Sequence, residues 1–348
     1  MGKLREIVAA NGVPAPVAGE PGEVREGVLE VPGTFELHHG GRLEGVTIAW
    51  RLAGVSGGPV VAALGGISAH RAVFSSGIAR GWWDELVGPG RALDSRRFRV
   101  LGFDFLGGSG DSSSPSTQAP VPSISTYDQA EVLLRLLNHL GISSLHAIVG
   151  ASYGGMVALA FAERFADRVG RLLVISASDR THPMATAWRC VQRHVLRFAL
   201  RQGAGVEGVQ LARALAMATY RSPEEFAARF RAPPRRTADG FAFPVEDYLF
   251  ARGADYAARY RPEAFLCLSE SIDLHAVAAD RIQVPTTLIA VHEDQLVPVA
   301  DARALCARLE GRGRLVEISS IYGHDAFLKE AAQLGPVFHS ALEYSHDR

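Results

Sequence analysis

The chain has 348 residues, 47% of them apolar and 21% charged, with 36 basic against 37 acidic side chains and a net charge of −1. That length fits one large α/β domain with an insertion, or two ordinary domains. The near-balance excludes an overall field favouring nucleic acid or an anionic membrane, so any anionic ligand needs a local site.

The N-terminus, Met1-Gly2-Lys3-Leu4-Arg5-Glu6, leads into an apolar run, Ile7 to Ala10, too short for a signal sequence. Glu6 stands where a myristoylation motif wants Ser or Thr, and no stretch approaches the length that spans a bilayer. Three widely spaced cysteines, Cys190, Cys267 and Cys306, have neither metal-ligand spacing nor the makings of a disulfide framework. A cytoplasmic location with buried free thiols is expected.

Residues 11–33, rich in Gly and Pro, read as an irregular lead-in. From about 36 to 52 apolar and polar residues alternate (Leu43, Val46, Ile48, Trp50), as in a half-buried antiparallel hairpin. Short continuous apolar runs follow: Val60–Leu64, Val100–Phe105, Leu145–Val149, Leu172–Ile175, Thr287–Val291 and Leu315–Ile318. Strands buried on both faces read this way, which predicts an α/β fold with a mostly parallel central sheet and helices on both faces. Tyr127–Leu140, with Ala130, Leu133, Leu134 and Leu137 on one side, reads as a crossover helix ending at Gly141. The Ser/Pro-rich stretch 109–125 reads as a surface loop.

Between about 180 and 280 the rhythm breaks: strand-like runs disappear and amphipathic helical stretches take over. One opens at Ser222-Pro223-Glu224-Glu225, where Ser as N-cap, Pro at the first helical position and Glu at the third predict a capping box. The division expected is a core of residues 1–180 and 281–348 with a helical lid, 181–280, inserted over it.

Gly150-Ala151-Ser152-Tyr153-Gly154 matches G-x-S-x-G, follows a buried run directly and opens a helix through Met156, Leu159 and Phe161. That strand–turn–helix context is what a nucleophile elbow requires. A glycine-rich turn with a solvated serine is the plainer reading, and the context argues against it. A serine hydroxyl needs a base to take its proton, and the base needs an orienting carboxylate. In an α/β-hydrolase fold the chain order is Ser, acid, His. Asp294 follows the run Thr287–Val291, with Glu293 as a rival, and His324 follows Leu315–Ile318. Leu64-Gly65-Gly66-Ile67 supplies a candidate oxyanion loop, its glycines (Gly65, Gly66) letting a backbone N–H face a developing oxyanion beside the N–H of Tyr153.

Several further stretches resemble the MetX family of homoserine O-acyltransferases, which share this fold. They are Ala212-Arg213…Thr219-Tyr220-Arg221-Ser222-Pro223-Glu224-Glu225-Phe226, Val245-Glu246-Asp247-Tyr248-Leu249, Gly323-His324-Asp325-Ala326-Phe327-Leu328 and, more loosely, Asp104-Phe105-Leu106-Gly107-Gly108-Ser109-Gly110. The resemblance implies that Arg221 holds the carboxylate of an amino-acid acceptor, that Asp325 holds its ammonium group, and that Tyr220 lines the same site. It also implies ping-pong transfer from an acyl-CoA co-substrate through acyl-Ser152 to L-homoserine, for methionine biosynthesis, without a bound cofactor or metal, in a homodimer joined through lid helices. A zwitterion in a dry pocket does need one fixed charge for each end.

Two departures from the family pattern are expected beside the acyl pocket: Tyr153 where Met is common, and an oxyanion loop that opens with Leu64 in place of His. They leave acetyl and succinyl donors both open. Succinyl is slightly favoured, with Arg180, Arg189, Arg193 and Arg197 available in the lid to meet a second carboxylate. L-Serine differs from homoserine by one methylene, worth only ~1–3 kcal/mol in a pocket, and stays open as acceptor. The rivals are an esterase or thioesterase with water as acceptor, and a binding protein that has kept the fold. A metal centre on His292-Glu293-Asp294 lacks the i, i+4 histidine pair.

Overall fold

The computed structural model describes residues 22–115 and 121–343, so the outer lead-in and the middle of the 109–125 loop lie outside the described residues. Its centre is an eight-stranded sheet. The strands are β1 (Glu23–Glu30), β2 (Thr47–Gly54), β3 (Val60–Leu64), β4 (Arg99–Phe103), β5 (Ala147–Ala151), β6 (Leu172–Ile175), β7 (Thr286–Val291) and β8 (Gly313–Ile318). Their spatial order is β1-β2-β4-β3-β5-β6-β7-β8. β1 and β2 join antiparallel, β2 meets β4 antiparallel, and every later pairing is parallel.

The continuous apolar runs make physical sense in this setting. Along β3, Ala62 and Leu64 pack into the core on one face and Val61 and Ala63 into that on the other. The first face is covered by α1 (Thr126–His139), α2 (Tyr153–Arg164) and α8 (Val299–Arg308), through Leu133, Val157 and Leu305. The second is covered by α9 (Ala331–Leu342) through Leu334 and Phe338. α1 is capped as a reciprocal box between Ser125 and Asp128.

Two sequence expectations at the amino end need correction. Residues 23–30 are a regular strand where an irregular lead-in was expected. β1 lies at the sheet edge, with Val24 and Val28 exposed and Leu29 its one buried apolar side chain, so it carries no hydrophobic run to read. Gly27 is there because the Trp50 indole fills the space of its missing side chain, 2.8 Å from where a Cβ would stand. The hairpin expected over 36–52 shrinks to Phe35–Glu36 against Arg42–Leu43. β2 instead pairs with β1 and β4 and is buried along almost its whole length.

Five helices lie between β6 and β7: α3 (Pro183–Arg201), α4 (Gly205–Tyr220), α5 (Pro223–Arg229), α6 (Pro244–Ala257) and α7 (Pro262–Asp273). They enclose a small core of their own, including Leu196, Val209, Tyr256, Tyr260 and Phe265. Contrary to the strand-free expectation, a short hairpin, Arg235–Thr237 against Gly240–Ala242, interrupts them. Its charged, exposed residues give no strand pattern, and the turn signal is Asp239-Gly240 alone, with Gly240 at φ +138°. α5 is capped by Ser222, whose Oγ accepts from Glu225 N at 3.1 Å. The second half of the expected box is missing, because the Glu225 carboxylate is held by Arg221 and Arg229. Among the described residues no helix is long and apolar enough to cross a membrane.

Candidate active site

Ser152 stands at the turn from β5 into α2 with φ 54° and ψ −121°, a region closed to most L-residues. Such strain costs on the order of 1–3 kcal/mol and persists only where neighbours enforce it. Here they do: Ser152 N donates to Ile175 O at 2.8 Å, and Gly154 N to Gly65 O at 2.8 Å. A Cβ on Gly150 would come 2.3 Å from Gly154 O, and one on Gly154 2.3 Å from Leu64 O. Both flanking positions are therefore closed to any side chain.

His324 Nε2 lies 2.9 Å from Ser152 Oγ, and its Nδ1 lies 2.7 Å from Asp294 Oδ2. The other carboxylate oxygen of Asp294 accepts from Leu296 N at 2.8 Å and Val297 N at 3.0 Å, which fixes the acid. The rival Glu293 is turned elsewhere and accepts from Ser320 N at 2.7 Å. With Nδ1–H donating to Asp294, Nε2 is free to take the serine proton. Burial works against a charged imidazole. The Asp294 carboxylate, by charge and hydrogen bond, and the charge of Asp325 outweigh it, so the pKa of His324 stands above its ordinary value.

His324 is positioned by Gly323 at φ +53°, where a Cβ would stand 2.8 Å from Tyr220 O. The Tyr220 ring packs 5.6 Å from the imidazole. The carboxyl end of α4 is thus seated directly on the histidine. Tyr153 is the first residue of α2, so its N–H is among those a helix leaves without an internal acceptor. Its side chain points away from the site into the core, 1% exposed, with its hydroxyl 2.6 Å from Ser271 Oγ. The departure from Met therefore lies outside the clefts around Ser152, and the expectation that it sits beside the acyl pocket is corrected. Gly66 and Ile67 line a cleft with Ser152. Gly65 packs beneath Trp82, 2.7 Å from where its Cβ would be.

Two clefts meet at Ser152 and His324. One runs under α3, past Met156 and Leu296 to Trp188, Arg189 and Gln192. The other, of about 150 Å³, is lined by Tyr220, Asp325 and Arg213. Arg221, the sequence candidate for a carboxylate, is ion-paired: its Nη1 donates to Glu225 Oε2 at 3.3 Å, and its Nε lies 3.0 Å from Asp325 Oδ2 without directing its N–H at it. It lines neither cleft.

Arg213 is the residue that sequence reasoning passed over. It has no carboxylate within ion-pair distance among the described residues, and its guanidinium lies over the rings of Tyr220 and Tyr256 at 4.9 and 4.6 Å. Burial disfavours its charge, while both phenols and the Asp325 carboxylate favour it, and the balance is upward. The available signal was the seven-residue interval to Tyr220, which puts the two on one face of α4. Of the arginines singled out for a second carboxylate, Arg189 and Arg193 both bind Asp273, and Arg180 is tied to Asp179. Among the described residues no group of three or more His, Cys, Asp or Glu side chains is placed to hold a metal ion.

The sequence profile of the α/β hydrolase-fold family matches residues 73–331. The chain is 43% identical to the homoserine O-succinyltransferase of Xanthomonas campestris pv. campestris, over 94% of this chain and 86% of that protein. It is 31% identical to the serine O-succinyltransferase of Litchfieldella anticariensis, over 91% of this chain and 98% of that one. Among solved structures, the homoserine O-acetyltransferase of Bacillus anthracis superposes with a TM-score of 0.84 at 17% identity, covering 92% of this chain and 98% of that one. At that identity the superposition speaks for the fold alone.

Proposed function

We propose a specific reaction for a chain that belongs to the α/β hydrolases and, within them, to the homoserine O-acyltransferases: ping-pong transfer of a succinyl group from succinyl-CoA to the hydroxyl of L-homoserine. Ser152 attacks the thioester as His324 takes its proton, and the imidazolium passes that proton to the departing CoA sulfur, leaving the acyl group on the serine and His324 neutral. The homoserine hydroxyl then attacks, giving its proton to His324, which returns it to Ser152 Oγ as the acyl–serine bond breaks. The N–H of Tyr153 and one from the turn at residues 65–67 stabilise the oxyanion in both halves.

The observation that carries this reading is the second cleft, where a cation and an anion, Arg213 and Asp325, flank Ser152. An esterase releasing its acyl group to water has no use for that pair, whereas an amino-acid acceptor needs both. Arg213 takes the acceptor's carboxylate in this reading. Arg221 is reassigned to positioning Asp325, one of whose oxygens it engages. Tyr220 covers His324 from the lid. L-Serine, the acceptor named for one relative, presents the same two charges and is the second acceptor to test.

The helices between β6 and β7 act as a lid that excludes water from the acyl-enzyme. Acyl-CoA is a co-substrate, with no permanently bound cofactor, and a cytoplasmic site of action accords with this chemistry. α3 exposes Met184, Val191 and Phe198 at seven-residue intervals, one apolar stripe that supports a homodimer through the lid. The test is thiol release from succinyl-CoA and acetyl-CoA, each with and without L-homoserine or L-serine. Sustained release beyond one CoA per active site only when the amino acid is present is the expected result, and sustained release equally fast without one would make water the acceptor.

A further inference from the structure

We propose that Glu225 is a positioning residue for the acceptor's ammonium group: by meeting the charge of Arg221 it leaves the Asp325 carboxylate free to take that group, and so selects an amino acid over a plain hydroxy acid. This rests on the acyl-transfer reading and adds to it the residue, set back from Ser152, that keeps one end of the acceptor site negative.

Asp325 is buried on the wall of the cleft at Ser152, and Arg221 is the one cation at ion-pair distance from it among the described residues. A guanidinium that met the carboxylate squarely, with two parallel N–H bonds, would neutralise it. Here the pairing is incomplete. Arg221 Nε lies 3.0 Å from Asp325 Oδ2, yet it is buried with no hydrogen-bond partner. Its Nη1 is turned to Glu225, 3.3 Å from Oε2 and 3.5 Å from Oε1. The Tyr322 ring lies 5.3 Å from the guanidinium, and the Arg221 carbonyl accepts from Gln295 Nε2 at 2.9 Å. Backbone and ring thus hold the arginine between two carboxylates.

Glu225, in the first turn of α5, is 4% exposed and lines neither cleft at Ser152. A glutamate is rarely buried so fully unless it is paired. The helix cap does not require it there, because Ser222 Oγ is met by the Glu225 backbone N–H and not by its carboxylate. The second partner of that carboxylate is Arg229, whose Nη1 donates to Oε1 at 2.9 Å. The Arg229 side chain is 44% exposed, so solvent and salt screen its charge. The groups shielded from solvent are therefore Asp325, Glu225 and Arg221, two negative charges against one positive. They leave one net negative charge for an ammonium to neutralise, while Arg213 meets the carboxylate across the same cleft. Without Glu225 that end of the site would sum to zero, and the Arg221 charge would oppose the ammonium directly. Charges only a few ångströms apart and away from bulk water interact strongly enough for this difference to decide binding.

The test is discharge of the acyl-enzyme by L-homoserine and by 4-hydroxybutyrate, which has the hydroxyl and the carboxylate but no amine. The wild-type protein is expected to favour L-homoserine by at least about 100-fold in kcat/KM, as sites built to bond a polar group do over an analogue that lacks it. Glu225→Gln keeps the shape and an accepting oxygen but removes the charge. It should lower that ratio by about tenfold or more, the scale of one charge interaction in a desolvated site. The loss should fall on KM for L-homoserine, with kcat, the CoA burst and the 4-hydroxybutyrate rate changed by less than about threefold. Adding Arg221→Met to Glu225→Gln removes the charge left unopposed and should restore part of the ratio. An unchanged ratio in Glu225→Gln, equal losses on both acceptors, or a double variant no better than the single one overturns the inference while leaving acyl transfer intact. No discharge of the wild-type acyl-enzyme by either acceptor overturns both. Should Glu225→Gln fail to fold, Arg221→Met alone decides: it removes the charge that opposes the ammonium, so the ratio must hold or rise, and a tenfold fall overturns the inference.

Discussion

Replacing Arg213 by Met separates the two halves of the proposed reaction. Arg213 is half-buried beside Ser152, its guanidinium stacked between Tyr220 and Tyr256 with no carboxylate at ion-pair distance among the described residues. Methionine preserves much of the packing and removes the charge. Truncating one partner of a desolvated ion pair costs ~2–5 kcal/mol. Solvent screening in a partly open cleft puts this site at the lower end, about 2–3 kcal/mol. At 1.4 kcal/mol per tenfold, that is roughly 30–150-fold in kcat/KM for L-homoserine. Acylation of Ser152, read as the burst of CoA before acceptor is added, should change by less than about threefold, because in the proposed reaction this charge serves the acceptor's carboxylate alone. Arg221→Met is the control. It leaves Asp325 without its ion-pair partner and should lower stability before it weakens acceptor binding. A homoserine KM unchanged in Arg213→Met, with the loss falling on Arg221→Met, would refute the reasoning and restore the assignment made from sequence.

Three further outcomes follow from the same geometry. In Asp294→Asn the amide carbonyl can still accept from Leu296 and Val297, but its NH₂ faces His324 Nδ1 and forces the wrong tautomer; kcat should fall by roughly 10³–10⁴ with the thermal midpoint little changed. Because His324 must be neutral to act and its pKa is raised, in part by Asp325, acylation should fall as pH drops through that raised value. In Asp325→Asn the acid limb of the acylation profile should move to lower pH, and a limb that stays in place would remove Asp325 from the electrostatics of the base. Tyr153→Phe leaves the buried Ser271 Oγ unpaired and should cost about 1–3 kcal/mol in denaturant titration, while the succinyl-to-acetyl ratio stays as in the wild type.

The sheet was legible because its central strands are buried on both faces, so that Val60–Leu64 and Leu172–Ile175 appear as unbroken apolar runs with the observed limits. β1 was not, because an edge strand that buries only Leu29 among its apolar side chains carries no such signal. The nucleophile, acid and histidine candidates were legible for a related reason: each follows a readable strand, and chain order does the rest. The structure brings Ser152, His324 and Asp294 into hydrogen-bonding reach. Charges were the weak point. A lone arginine on a helix looks the same in sequence whether it faces solvent or a cleft, so the sequence could not show that Arg221 lies beside Asp325 and Glu225 while Arg213 lines the cleft at Ser152. Nor could the sequence show that Arg189 and Arg193 converge on Asp273, eighty or more residues away.

The most direct test of the account is intact-mass analysis of the protein mixed with succinyl-CoA alone, followed by addition of L-homoserine. A succinyl adduct on the peptide bearing Ser152, formed with stoichiometric CoA and discharged to O-succinylhomoserine when the amino acid arrives, is the predicted result. CoA release only when donor and acceptor are both present, with no adduct and with turnover surviving in Ser152→Ala, would contradict it.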